Sequence, residues 1–309
     1  MKTNAIVRII LFLLAILILL GILLGVLGFN AYRFSIAKHV ETAEQGIGAQ
    51  NITQDIRNIE INWVAGSITF RKDQNATGIT VEEFPSVESK YKMILKQSGQ
   101  TLKILYCDDE SIKFPFGTNF DLDKDLIITV PMDWDCDSLE IDSASAEVIL
   151  NDMAIQEFDF DGASGVCKMN NCSIGELDID TASGDIHFSG MLETLNCDAV
   201  SADCHIEVSN IPRSVTMDGM SGNLTLVLPH DAGFACELDT MSGSFNTDFD
   251  FKMNNNVYIC GTGECKINVS AMSGDASILK GMASTKSAAL NTCIDPGCNV
   301  QSHSHTKHH

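Results

Sequence analysis

Basic residues are scarce in this chain. Its 309 residues hold 20 Lys and Arg against 41 Asp and Glu, a formal net charge of −21. Residues 1–40 carry four basic and no acidic side chains, so residues 41–309 hold 16 basic against 41 acidic, a net of −25. Such a surface repels phosphate backbones, which excludes nucleic acid as a partner, and it opposes lying flat on anionic lipid. Beyond residue 55 no apolar stripe of helical period occurs, and this removes the helices that a doubly wound α/β sheet requires. The chain has no G-x-S-x-G elbow, P-loop or H-E-x-x-H, so no catalytic residue and no cofactor cradle is expected. It has no C-x₂-C pair either, and zinc-ribbon spacing is not met.

One long uncharged run is present. Ile9 to Phe29 is 21 residues rich in Leu and Ile, long enough at ~1.5 Å per residue to span the ~30 Å hydrocarbon core. Leu27-Gly28-Phe29-Asn30-Ala31 makes a poor signal-peptide cleavage site, which favours an uncleaved anchor. Lys2 and Arg8 precede it while Arg33 and Lys38 follow, so the charge rule for orientation is nearly balanced. A short stub ahead of a large domain fits a signal anchor. The expected organisation is a cytoplasmic stub at 1–8, an anchor at 9–29, a linker at 30–54, a repeat domain at 55–282 and a disordered tail at 283–309. The domain is expected outside the cytoplasm of a single-pass cell-membrane protein.

The repeat domain announces itself by a turn that recurs seven times. It reads D-S-A-S-A at 142, D-G-A-S-G at 161, D-T-A-S-G at 180, D-A-V-S-A at 198, D-G-M-S-G at 218, D-T-M-S-G at 239 and S-A-M-S-G at 270. Its serines are Ser145, Ser164, Ser183, Ser201, Ser221, Ser242 and Ser273, at intervals of 19, 19, 18, 20, 21 and 31 residues, the last holding an insertion. Gly165, Gly184, Gly222, Gly243 and Gly274 follow five of them, with Ala146 and Ala202 at the other two. A fixed period near twenty means stacked, similar units.

Around each turn the residues alternate. Leu139, Phe158, Leu177, Leu195, Val215, Cys236 and Ile267 form one apolar column, and Ile141, Phe160, Ile179, Cys197, Met217, Leu238 and Val269 form the next. After the turn come Val148, Cys167, Ile186, Cys204, Leu224, Phe245 and Ala276. Period-2 alternation is a half-buried strand. Each unit is strand, tight turn, strand and short return. In a parallel coil, equivalent positions stack one rung apart, so the same residue types recur. The fold class is all-β, a parallel β-helix or β-solenoid of ~20-residue coils. Residues 55–134 form a degenerate version suited to capping, with strands expected at Ile59–Phe70, Ile79–Glu83, Tyr91–Leu95, Leu102–Tyr106 and Leu126–Val130.

The S-G turns, D-L-I-I-T-V-P at 125–131, L-P-H-D-A-G-F at 228–234 and Gly261-Thr262-Gly263-Glu264 together resemble the LiaG-like putative adhesin family over about residues 55–280. That resemblance implies a β-helix in a membrane-anchored bacterial protein, a domain of unknown function. The Ala at 146 and 202 departs from the family's turn.

Asp142, Asp161, Asp180, Asp198, Asp218 and Asp239 are expected to stack in one outward column. Like charges ~4.8 Å apart repel by about 0.9 kcal/mol in bulk water. Either each carboxylate caps its own turn through backbone N–H groups, or the column is a Ca²⁺ ladder. Turn capping is favoured, because the glycine-rich nonapeptide of Ca²⁺-binding β-rolls is absent. His187 and His205 share an outward column and read as solvated surface residues.

Eleven cysteines are an odd number, so complete intramolecular pairing is impossible. Most fall on inward columns, where a free thiol acts as a small hydrophobe. Cys293 and Cys298 flank Asp295-Pro296-Gly297, a turn that brings a disulfide within reach. The functional expectation is a non-catalytic envelope scaffold contacting an envelope protein or glycan. A surface adhesin and a β-helical carbohydrate-active enzyme are the alternatives, the latter disfavoured because the acids follow the structural period.

Overall fold

A computed structural model describes residues 50–52, 55–85, 91–107, 123–254 and 257–281. The anchor expected at 9–29, most of the linker, the tail at 283–309 and the Cys293–Cys298 pair lie outside the described residues. Among the described residues no helix is long and apolar enough to cross a membrane.

Among the described residues every regular element in the order below is a strand. In chain order they are β1 (Gln50–Ile52), β2 (Asn58–Asp73), β3 (Ile79–Phe84), β4 (Ile94–Ser98), β5 (Thr101–Leu105), β6 (Asp125–Pro131), β7 (Cys136–Asn151) and β8 (Ala154–Val208). There follow β9 (Ser214–Ser221), β10 (Leu224–Leu228), β11 (Phe234–Ser242), β12 (Phe245–Thr247), β13 (Lys252–Asn254), β14 (Val257–Cys260), β15 (Cys265–Ser273) and β16 (Ala276–Lys280). The returns between middle rungs are extended too, which is why β8 runs unbroken for 55 residues. At their corners Asp152 (φ 57°) and Asn171 (φ 52°) take the left-handed conformation, one that short polar side chains tolerate.

The predicted columns are the observed columns. β7 pairs with β8 in parallel through Leu139↔Phe158, Ile141↔Phe160, Ser145↔Ser164 and Val148↔Cys167. β8 pairs with β9 through Leu195↔Val215, Cys197↔Met217 and Ser201↔Ser221. Leu139, Leu150, Phe158, Phe160, Leu177, Phe188, Leu195, Val215 and Leu226 are buried. At ~1.5–3 kcal/mol for each fully buried large apolar side chain, this core drives coiling.

The order of rungs departs from chain order at both ends. The last repeat, β15, does not follow β11 on the outside. It lies between β9 and β11, with Ser273 beside Ser221 on one side and Ser242 on the other. A Cβ added to Gly274 would strike the Gly222 carbonyl, and one added to Gly243 would strike that of Gly274. The first repeat is displaced in the same sense. β2 lies between β7 and the strands β5 and β6, although both of these follow it in sequence. Each outermost parallel rung is then covered by antiparallel strands. β4 covers β5 and β3 covers β6 at one end; β14 covers Phe234–Glu237 of β11 at the other. Antiparallel covers terminate the ladder and reduce open edge.

The strand expected at Tyr91–Leu95 falls at Ile94–Ser98, because it is set by a tight hairpin in which Ser98 pairs with Thr101. Gly99, at φ +59°, occupies the first turn position there.

Candidate functional site

Two outward columns on the strand before the turn make one acidic face. The first runs Asn62, Asp142, Asp161, then Asp180, then Asp198, Asp218, Ser270 and Asp239 in spatial order. Ser270, the one repeat without Asp, therefore separates Asp218 from Asp239. Two residues earlier on each strand, the second column contains Glu60, Glu140, Asp159 and Asp178, then the neutral Asn196, Thr216 and Asn268, and ends in Glu237. Lys103 closes its N-terminal end through a 2.9 Å ion pair with Glu60, and Asn196 donates to Asp178 at 2.6 Å. Glu140 with Asp142, Asp159 with Asp161 and Asp178 with Asp180 thus give three consecutive middle rungs two acids each.

Asp159, Asp180 and Asp198 are held above the usual carboxylate range. Burial among neighbours raises Asp159, followed by the charges of Glu140, Asp178, Asp180 and Asp142. Burial raises Asp180, with Asp198 and Asp178 adding to it, and burial then Asp218 and Asp178 raise Asp198. Among the described residues no cationic side chain pairs with Asp159, Asp180, Asp198 or Asp218.

Carboxylate hydrogen bonds between rungs are made by a different column. Asp180, Asp198, Asp218 and Asp239 accept no hydrogen bond among the described residues. The capping carboxylates act between rungs: Asp203 and Asp275 stand two residues after a turn serine, and Asp125 holds the matching register beside Ser67. Asp125 accepts the amide and hydroxyl of Ser67 at 3.0 and 2.8 Å. Asp203 accepts the amide and Nδ2 of Asn223 at 3.0 and 2.9 Å. The Asp275 amide donates to Asn223 Oδ1 at 3.0 Å, and Asp275 in turn accepts from Ser244. Hydrogen bonds to an ionised carboxyl lower its pKa, and the hydroxyl then the amide of Ser244 hold Asp275 below the usual range. Pattern reading missed these residues because Ser67, Asn223 and Ser244 share no type with the Asp residues that serve them.

Among the described residues no three His, Cys, Asp or Glu side chains converge to hold a metal ion. His187 and His205 lie with ring centroids 6.3 Å apart. On the far side of the turn, Lys168 pairs with Glu147 at 2.6 Å.

The turn residues Ser145, Ser183, Ser201, Ser221, Ser242 and Ser273 are exposed, and Ser164 donates to the Ala144 carbonyl at 3.4 Å. Gly165 and Gly184 have φ of +154° and +148°. A Cβ at Gly184 would collide with the Gly165 carbonyl oxygen one rung away. Gly184, Asp185, Ser201, Asp203, Asn223 and Ser273 line a shallow polar groove along this edge.

Nine described cysteines are free and buried. Cys197 and Cys204 meet across the turn of one rung with Sγ atoms 3.4 Å apart. Burial pushes the thiols of Cys136, Cys236 and Cys265 up to about 12.

Lys124, unremarked by its sequence context, is the most enclosed charge among the described residues. Its side chain is 0% exposed and its ammonium meets Glu83 at 2.8 Å, the Tyr91 carbonyl at 2.7 Å and the Tyr106 carbonyl at 2.5 Å. The rings of Tyr106 and Trp63 lie 4.0 and 4.8 Å from it, and the Trp63 indole donates to the Lys124 carbonyl at 2.8 Å. Burial lowers its pKa while Glu83 opposes the shift. With its three donors satisfied, this group anchors the N-terminal cap.

Similar solved structures share little sequence. A putative cell adhesion protein from Clostridium sporogenes is 12% identical, covers 77% of this chain and 100% of its own, and has a TM-score of 0.36. A putative adhesin from Bacteroides fragilis is 10% identical over 76% of this chain and 98% of its own, with a TM-score of 0.36. A putative lipid binding protein from Parabacteroides distasonis is 14% identical over 79% and 98%, with a TM-score of 0.39. No curated protein matches. Residues 56–279 match Toastrack DUF4097, which spans the whole coil from the first buried residue to the last strand, and the chain belongs to that family.

Proposed function

We propose that this chain is a non-catalytic scaffold of the bacterial cell envelope, tethered by the Ile9–Phe29 segment and presenting its acidic face to a cationic protein partner. The observation that carries the reading is the uncompensated charge of the middle rungs. Asp159, Asp180 and Asp198 sit in registered columns, their carboxyls are raised partly by one another, and no cationic side chain pairs with them among the described residues. Folding places like charges together at a cost, and a basic partner relieves it. A flat parallel face suits extended contact. The acids keep the period of the rungs, which favours recognition over a unique catalytic pair.

A photo-crosslinking residue at Glu140, Asp159 or Thr216 in living cells tests this. Specific crosslinks from that face, with none from Lys168 or Asn246 on the other side of the turn, are expected. Crosslinks from Lys168 alone, or hydrolysis of wall polysaccharide by the purified protein, overturn it. A second reading, a glycan-binding adhesin, is favoured by the hydroxyl- and carboxylate-lined groove along the turns. Glycan binding lost on replacing Ser201 and Ser221, without turnover, selects that reading.

A further inference from the structure

The residue before each turn serine faces outward. In the middle rungs it is small, Ala144, Ala163, Ala182 and Val200, but in the last three repeats it is Met220, Met241 and Met272. Pairing of Gly219 and Ser221 with Ala271 and Ser273, and of Thr240 and Ser242 with Ala271 and Ser273, puts these methionines on three adjacent rungs. Met272 is in the middle. Met241 is 69% exposed, Met272 39% and Met220 partly exposed. Alanine suffices for the turn, so packing does not account for three large side chains there.

We infer that Met220, Met272 and Met241 form a surface thioether site for a soft monovalent metal ion of the Cu(I) class. Thioethers are soft donors that select Cu(I), whereas the neighbouring serine and aspartate oxygens are hard and do not compete for it. Rungs are ~4.8 Å apart. Methionine is unbranched with three rotatable bonds, so three sulfurs one rung apart can converge on one ion. Exposed Asp218 and Asp239, two residues before Met220 and Met241, give the site a negative potential that gathers cations. The nine described cysteine thiols, which would otherwise outcompete thioethers, are buried. The accessible soft sulfur on this face is the methionine row.

The site is independent of the scaffold reading, and its test does not involve the acidic middle rungs. Full-length protein with Cys293→Ser and Cys298→Ser, which removes the two thiols outside the described residues, is labelled with ¹³C-methyl methionine and titrated with Ag(I), a redox-inert surrogate for Cu(I), and the 12 methionine methyl resonances are followed. Selective shifts of Met220, Met241 and Met272, assigned by single Met→Leu variants, are expected. Met272→Leu leaves donors two rungs apart and should weaken binding by about ten-fold or more, whereas Met220→Leu and Met241→Leu each leave an adjacent pair and should cost less. The triple Met→Leu variant keeps the apolar surface and should lose the site. Unshifted methyls at these three positions, or undiminished Ag(I) binding in the folded triple variant, overturns the proposal. Shifts confined to other methionines do so equally.

Discussion

Asp275 accepts both the amide and the hydroxyl of Ser244 from the neighbouring rung, each at 2.7 Å. Asp180 stands on the same solenoid, accepts no such bonds among the described residues, and is raised where Asp275 is lowered. Ser244 on the neighbouring rung makes Asp275 a clamp, whereas Asp180, with Asp198 and Asp178 for neighbours, is a repelled charge.

For Asp275 the folded pKa is depressed. Its contribution is therefore present above the unfolded carboxylate range, roughly pH 4, and lost as pH falls through the lowered value. Asp275→Ala should loosen the outer rung, and amide exchange at Ser244 should rise several-fold at neutral pH. Unchanged protection of Ser244 would show that the clamp holds nothing.

For Asp180 the sign reverses. A raised folded pKa contributes stability below the unfolded value that is lost as pH rises through the folded one. Asp180→Asn should be neutral or stabilising by about 0.5 kcal/mol at pH 7 once screening by solvent is allowed for, and it should flatten the melting curve against pH above the unfolded carboxylate range, roughly pH 4. If millimolar Ca²⁺ raises the melting point of the parent strongly but not of the variant, a Ca²⁺ ladder explains the column instead.

Removing one member of the buried Lys124–Glu83 pair strands the other. Lys124→Met or Glu83→Gln should cost ~3–5 kcal/mol, or about 10 °C in melting temperature for a domain of this size. The double variant Lys124→Met/Glu83→Leu should recover part of that loss. Equal losses in singles and double would mean that packing around Trp63 and Tyr106, not charge, sets the stability.

At Gly184 the backbone has φ +148° and the Gly165 carbonyl leaves no room for a Cβ. Gly184→Ala should destabilise by about 1–3 kcal/mol. Ala202 is buried without a left-handed backbone, so Ala202→Gly should cost about 1 kcal/mol or less. Chemical denaturation of both variants gives the comparison, and a harmless Gly184→Ala would contradict the crowded turn stack.

The alternation of Leu139, Ile141, Val148 and Leu150, repeated down the chain, was enough by itself to specify strands, inward columns and the parallel register. Those properties are local: side-chain direction alternates with every residue, so a slip of one position would expose the whole core. The seven turns were legible for the same reason. The neighbours of each rung at the ends were not. Every repeat carries much the same pattern, so β15 satisfies the faces of β9 and β11 as well as β11 alone would satisfy β9. The antiparallel covers β3, β4 and β14 fix the choice through contacts distant in sequence. The Asp column was visible as a column, but its role was not, because the hydrogen bonds of a solenoid run between rungs. Ser67 finds Asp125 and Ser244 finds Asp275 only after 58 and 31 intervening steps of chain have folded back. Lys124 likewise reads as one more surface charge between Asp123 and Asp125 until Glu83, Trp63 and Tyr106 close around it. Local periodicity belongs to the sequence, while rung order and charge pairing belong to the tertiary structure, since only chain closure brings those partners within bonding distance.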